Sequence, residues 1–256
     1  MRKYIEIFKY SLKTKLAFIF DYLVSIFSYA IHIFVFNELW DYILQGKAVA
    51  GYTKKELIWY IIITEFVVYA TNKSYKRIAE KVRNGEIANM LVKPINFLVY
   101  TIAEQFSVLI KVGVNFIFGI MLGLFMAGAI DVCVESIIIT IISLIISIFM
   151  TILIDILLGI ISFYTEENQS FYLIIQKLIF FAVFIPIEFY PEWAQKILFC
   201  IPLLYSVYAP GKIFVNFDLQ ASLILLLKQF IAMLVILGAV IITYKKGVKK
   251  INVNGG

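Results

Sequence analysis

Between Ser136 and Tyr164 the chain carries one charged residue, Asp155, and between Val112 and Ile130 it carries none. Apolar runs of this length leave few folds open. A bilayer core is about 30 Å thick and takes about 20 helical residues to cross. Backbone in lipid must satisfy its own hydrogen bonds, so only helices and closed barrels span a membrane. A barrel strand is about 10 residues of alternating polarity, whereas these runs are longer and do not alternate. The chain reads as an all-α polytopic membrane protein. Composition agrees: 62% of the 256 residues are hydrophobic and 16% charged, against about 45–50% and about 25% in soluble domains. Disorder needs the opposite balance.

One transmembrane domain is expected over 1–256, with six spans at 16–37, 57–73, 112–130, 136–164, 170–187 and 219–244. The third lies within a longer apolar stretch, Phe97–Ile130, of about 50 Å if wholly helical. Glu104 and Lys111 occupy its first half, so the crossing is placed after Lys111 and 97–111 near the interface. Before the first span, Arg2, Lys3, Lys9, Lys13 and Lys15 alternate with Tyr4, Ile5, Phe8 and Leu12. That spacing predicts a basic amphipathic helix over 1–15, lying on the membrane surface. A signal peptide would share the basic start, but the run from Leu16 to Asn37 is too long for its apolar region and lacks a small-residue cleavage site. It reads as an uncleaved span.

The net charge of +6 matters less than its placement. On the side of both termini and the 72–96 loop lie 15 of the 23 Lys and Arg residues; five (Lys47, Lys54, Lys55, Lys196, Lys212) lie on the other. Basic residues stay inside, so both termini are expected in the cytoplasm, and no nucleic-acid partner is expected. Four of the five prolines (Pro186, Pro191, Pro202, Pro210) fall between the last two spans, in an apolar rather than polar segment. Stretches too short to cross, broken by proline, predict an external re-entrant or interfacial pair of short helices over 188–217, packed on protein.

No Walker A loop, Rossmann fingerprint, HExxH or G-x-S-x-G occurs, so nothing resembles an enzyme site. One histidine and two cysteines leave little for zinc or haem, and no metal site is expected. His32, in the first span, reads as a packed or interface residue. Cys133 and Cys200 both map outside, where a disulfide could form, although cysteines on one face need not meet. Gly119, Gly123 and Ala127 form a small-residue stripe suited to close helix packing. Intramembrane ionisable groups default to functional hypotheses. Asp155 and Lys177 are each 11 residues from Glu166, so a hairpin turning there would set them at equal depth as an ion pair. Alternatively each snorkels or faces its own polar cavity.

The loop SYKRIAEKVRNGEIANMLVKPIN, 74–96, has Ile78, Val82, Ile87 and Leu91 at roughly helical steps. It reads either as a solvated basic loop on anionic lipid or as a docking helix for a cytosolic partner. Within it, Val82-Arg83-Asn84-Gly85-Glu86-Ile87 followed by Leu91-Val92-Lys93-Pro94 resembles the I-R-x-G-x-[IL]…L-[LV]-[KR]-P signature of bacterial ATP-binding-cassette (ABC) permeases of the type-2 export class. The turn Ser162-Phe163-Tyr164-Thr165-Glu166-Glu167-Asn168 resembles the aromatic–Thr–Glu–Asn turn after that family's fourth span. The stretch from Ile185-Pro186 through Tyr190-Pro191-Glu192-Trp193 and Ile201-Pro202 to Tyr208-Ala209-Pro210 resembles its external re-entrant segment. Asp21 stands where these proteins tend to keep an early acid, but Ile19 and Phe20 replace the arginine often found before it.

The resemblance spans nearly the whole chain. It implies six helices, a second permease subunit (identical or related), and a separate cytosolic ATPase that carries the ATP and magnesium, with no cofactor in this chain. It also implies that 74–96 is the coupling loop, with Tyr75, Arg77, Glu80, Arg83, Asn84, Gly85 and Glu86 as ATPase contacts. That family lines its cavity with the second and fifth spans, which makes Glu65 the candidate cavity acid. Phe66, Tyr69, Phe180, Phe181 and Phe184 are candidates for an aromatic wall around an amphipathic or cationic substrate, unless they face lipid or pack. A non-catalytic permease subunit of a bacterial cytoplasmic-membrane exporter is the expectation. A membrane scaffold or sensor subunit is the rival, and a secondary transporter fits less well without an inverted repeat.

Overall fold

A computed structural model of the chain describes residues 2–16, 19–70, 73–92, 94–165 and 168–254. Lys93, Glu166 and Glu167 of the motifs above, and the side chain of Asp21, lie outside the described residues. Among the described residues every regular element is a helix: α1 (Arg2–Leu16), α2 (Ile19–Leu44), α3 (Lys54–Val68), α4 (Ser74–Arg83), α5 (Glu86–Leu91), α6 (Phe97–Gln105), α7 (Leu109–Met126), α8 (Val134–Ile161), α9 (Gln169–Phe184), α10 (Glu192–Leu198), α11 (Tyr205–Val215) and α12 (Leu219–Asn254).

Four described stretches are long and apolar enough to cross a bilayer: Tyr22–Leu44, Phe97–Met126, Val134–Ile161 and Leu219–Lys250. They correspond to the expected first, third, fourth and sixth spans, with shifted ends. Helix continues from 97 through a 3₁₀ turn, Phe106–Val108, into α7, and it stops at Met126 rather than 130, ahead of Gly128 (φ 76°). At the other end of the chain α12 runs ten residues past the expected limit at 244. Hydropathy marks where lipid ends, and a helix need not end there. The expected second and fifth spans are the short helices α3 (15 residues) and α9 (16 residues), below the usual crossing length.

α3 is the centre of the molecule. Eleven consecutive residues, Leu57 to Val67, are buried, as expected of a helix apolar on every face. Its start is fixed by a capping box in which Thr53 and Glu56 satisfy each other's backbone N–H. α2, α7, α9 and α11 surround it. Close approach is bought by small residues: a Cβ on Gly119 would strike the Tyr29 ring, and one on Gly123 would strike Trp59 and Ile62. Ala127 follows the end of α7 as its C-cap, so the expected stripe has two working members. Polar bonds reinforce the packing. Tyr29 donates to the Ile62 carbonyl at 2.7 Å, Tyr60 to the Ala182 carbonyl at 2.7 Å, and Trp59 Nε1 to the Gly128 carbonyl at 2.9 Å. α8 and α12 are joined by Gln229, whose amide meets Ser143 and Ser147.

The proline-rich segment folds as α10 and α11 set at 89° to each other. Its prolines begin helices more than they break them: Pro191 is the N-cap of α10, and Pro202 opens a 3₁₀ turn before α11. Only Pro210 is interior.

Candidate functional site

A cavity of about 280 Å³ opens between α2, α3, α8, α9 and α11. Four of the six expected wall residues line it: Glu65, Tyr69, Phe180 and Phe184. Phe66 does not. It is buried against Phe116, with ring centroids 5.1 Å apart. Phe181 is 54% exposed and does not reach the cavity. The aromatic wall is held in depth, with Phe184 stacked on Phe36 at 4.0 Å and Phe180 beside it at 4.7 Å. Tyr69 packs edge-on to Tyr29, and the Lys111 ammonium stands 5.3 Å over its ring.

The Glu65 side chain is 3% exposed and pairs through Oε1 with His32 Nδ1 of α2. Its Oε2 is buried with no hydrogen-bond partner among the described residues. Sequence alone reads His32 as a packed or interface residue and does not reveal its pairing with Glu65. Only one signal pointed to it, two polar ionisable groups each deep inside an apolar run.

Asp155 and Lys177 do not meet. Asp155 is buried and accepts hydrogen bonds from Ser74 and Gln105. Lys177 is exposed, with its ammonium 5.9 Å from the Phe180 ring. The equal-depth reasoning failed on direction: α9 packs on α3 and α11 rather than along α8. Cys133 and Cys200 are both free and exposed, so they form no disulfide.

Below the cavity, α4 and α5 form an elbow at Gly85, which is left-handed (φ 72°). Few residues other than glycine adopt that conformation without strain. Glu80, Arg83, Asn84, Gly85 and Glu86 are exposed at its tip. Two expected contact residues are not. Tyr75 is fully buried and stacks on Tyr172 at 4.3 Å, because the first turn of α4 faces α8 and α9. Half-buried Arg77 pairs with Glu104 at 3.3 Å.

At the opposite end, Glu188 Oε1 lies 2.7 Å from Lys212 Nζ and accepts from the Tyr208 hydroxyl at 2.8 Å. Lys212 also donates to the Tyr52 hydroxyl at 3.0 Å. This ties the turn before α10 to α11 and to the loop before α3. Burial pushes the Glu188 carboxyl up, but the Lys212 hydrogen bond and charge outweigh it, helped by the Tyr208 hydroxyl, and hold it below the ordinary carboxylate value. A depressed acid stabilises the fold above its unfolded pKa, and that contribution is lost as pH falls through the folded one. Glu188→Gln should therefore cost about 2 kcal/mol at neutral pH, the size of a hydrogen-bonded charge pair. The gap between the two proteins' melting curves should stay constant down to about pH 4.5 and close below it. A gap already closing at pH 6 would contradict this.

The model of one family, described as ABC-2 family transporter protein, matches residues 17–255. No curated protein matches the chain. With that match running from the first span to the end of the last helix, the chain belongs to the ABC-2 family of transporter proteins.

Proposed function

We propose that the chain is the permease subunit of an ATP-driven exporter, with two permease subunits assembled on separate cytosolic ATPase subunits that hold ATP and magnesium. It is a multi-pass membrane protein of the ABC-2 family, read here as residing in the bacterial cytoplasmic membrane with both termini inside. Six crossings are kept in this reading, with α3 and α9 as short crossings sheltered by protein. An amphipathic or hydrophobic substrate enters from the cytoplasm or inner leaflet into the Glu65 cavity and leaves past α10 and α11.

One observation carries the coupling part of the reading. The α4–α5 elbow exposes Glu80 and the four consecutive residues Arg83 to Glu86 at its tip, while its base is buried against the cavity helices. A part anchored at one end and bare at the other suits a partner that pushes on it. ATP binding then supplies free energy that differs between inward-open and closed states, as any ligand-driven switch requires.

The test is capture and turnover. A P-loop ATPase should co-purify with the tagged chain. Gly85→Ala, which places a side chain at a left-handed position at about 1 kcal/mol, should leave the permease folded and lower the complex's ATP turnover severalfold. Glu86→Lys should weaken capture. A chain that purifies alone under gentle extraction, or turnover indifferent to Gly85 and Glu86, would favour the scaffold reading.

A further inference from the structure

We propose that Asp155 is the positioning residue that joins the cavity wall to the cytosolic elbow; this rests on the transport reading above. The side chain is carried by α8 and the residue is 4% exposed. Its Oδ2 accepts from the Ser74 backbone N–H at 2.8 Å, from the Ser74 hydroxyl at 2.7 Å, and from the Gln105 amide.

α4 depends on that carboxylate. The first N–H groups of any helix have no partner inside it, and Ser, Thr, Asp or Asn at the N-cap normally supplies one. Here the N-cap is Lys73, left-handed (φ 50°), with no side-chain cap. Asp155 supplies the missing acceptor from another helix and sets negative charge at the positive end of the α4 dipole. A residue 81 positions away in sequence does what local sequence leaves undone.

Two further contacts make the attachment rigid. Asn168 Nδ2 donates to the Tyr75 carbonyl at 3.2 Å and to the Leu158 carbonyl at 3.0 Å. At Gly159 the helices touch so closely that a Cβ would collide with Ile78. Asp155, Leu158 and Gly159 thus hold Ser74, Tyr75 and Ile78 within about one turn of each helix. The same turn of α8 is cavity wall, because Asp155 and Leu158 line the cavity. Movement of α8 at the cavity therefore carries α4 with it, and force on the elbow moves the wall. This is a contiguous element that both sites can bias, which physical coupling requires.

The test compares wild type, Asp155→Asn, Ser74→Ala and Thr140→Ala as full-length protein in lipid nanodiscs by hydrogen-exchange mass spectrometry. Thr140 is buried on α8 outside this cluster. Asp155→Asn should speed exchange of the amides of residues 75–79 about tenfold. Ser74→Ala should act in the same direction but less, and Thr140→Ala should leave α4 unchanged. In the complex with the ATPase, the non-hydrolysable nucleotide AMP-PNP should alter exchange in the cavity-lining part of α9 in wild type. Asp155→Asn should keep the ATPase bound and lose that distant response. Wild-type exchange of α4 in Asp155→Asn, an even loss of protection along the whole chain, or an undiminished α9 response would each overturn the inference. Failure to capture any ATPase would sink the transport reading instead, and α4 exchange in the permease alone would still decide whether Asp155 holds the elbow.

Discussion

Gly211→Ala is expected to destabilise the chain by about 3 kcal/mol, whereas Gly238→Ala should be neutral or add about 0.5 kcal/mol. The sign turns on what each new methyl group meets. At Gly211, on α11, a Cβ would come within 2.6 Å of Thr64 Cγ2 and 2.8 Å of the Tyr60 ring. Neither neighbour can yield cheaply. Tyr60 is pinned by its hydroxyl to the Ala182 carbonyl at 2.7 Å, and the Thr64 hydroxyl lies 2.9 Å from the carbonyls of Tyr60 and Val183. Overpacking of this kind costs about 1–3 kcal/mol, and displacing the Tyr60 hydroxyl would strand a buried acceptor at about 1–3 kcal/mol more. At Gly238, inside α12, a Cβ meets nothing within 4 Å, so the ordinary helix preference for alanine is what remains. Thermal melting of both variants in the same detergent reads the contrast directly. Equal melting temperatures would mean that α3 and α11 are not packed as described.

Glu65→Met should separate stability from transport. Replacing a buried ion pair by apolar residues of similar volume is often neutral or stabilising by about 1–4 kcal/mol, and replacing one member is costly only when the other is left buried and unpaired. His32 is left behind, but its side chain is 43% exposed, so its ring nitrogens are not sealed away from other partners. The variant should melt no lower than wild type. Export should nevertheless fall about tenfold or more, the loss expected when a charged contact is removed from a binding site. Uptake of rhodamine 6G, an amphipathic dye, into inside-out vesicles containing the ATPase complex gives the measure. The partner residue predicts the opposite stability result. His32→Ala leaves the Glu65 carboxylate, 3% exposed, without its companion, which should cost about 3 kcal/mol. If both variants lowered stability equally, the His32–Glu65 contact would be structural and the cavity would need another polar anchor.

The long spans could be read from sequence because hydropathy along a chain is a local property. Val134–Ile161 declares itself by composition alone. The polar links between helices could not be read this way. Ser74 finds Asp155 across 81 residues and His32 finds Glu65 across 33, and which way each side chain faces depends on helix rotation, which depth does not determine. Asp155 and Lys177 illustrate the failure: their depths were inferred from a common turn, but neighbouring helices turned one inward and left the other exposed. Tyr75 failed for a related reason. A motif marks the coupling loop as a whole, while burial at its base and exposure at its tip follow from tertiary packing. The cavity wall was legible in part, since Glu65, Tyr69, Phe180 and Phe184 lie on its lining and Phe66 and Phe181 point elsewhere.

The shortness of α3 and α9 has a consequence for where such helices can sit. At 1.5 Å per residue they are about 22 and 24 Å long, while α8 is about 42 Å. α3 is therefore about half as long as α8, with Lys54 and Lys55 at its start and Lys73 five residues beyond its end. α3 alone falls well short of the roughly 30 Å of a bilayer's hydrocarbon core. Glu65 lies within that short helix and is buried. A helix too short to cross by itself, with a carboxyl group in its length, is kept at the centre only because α2, α7, α9 and α11 enclose it.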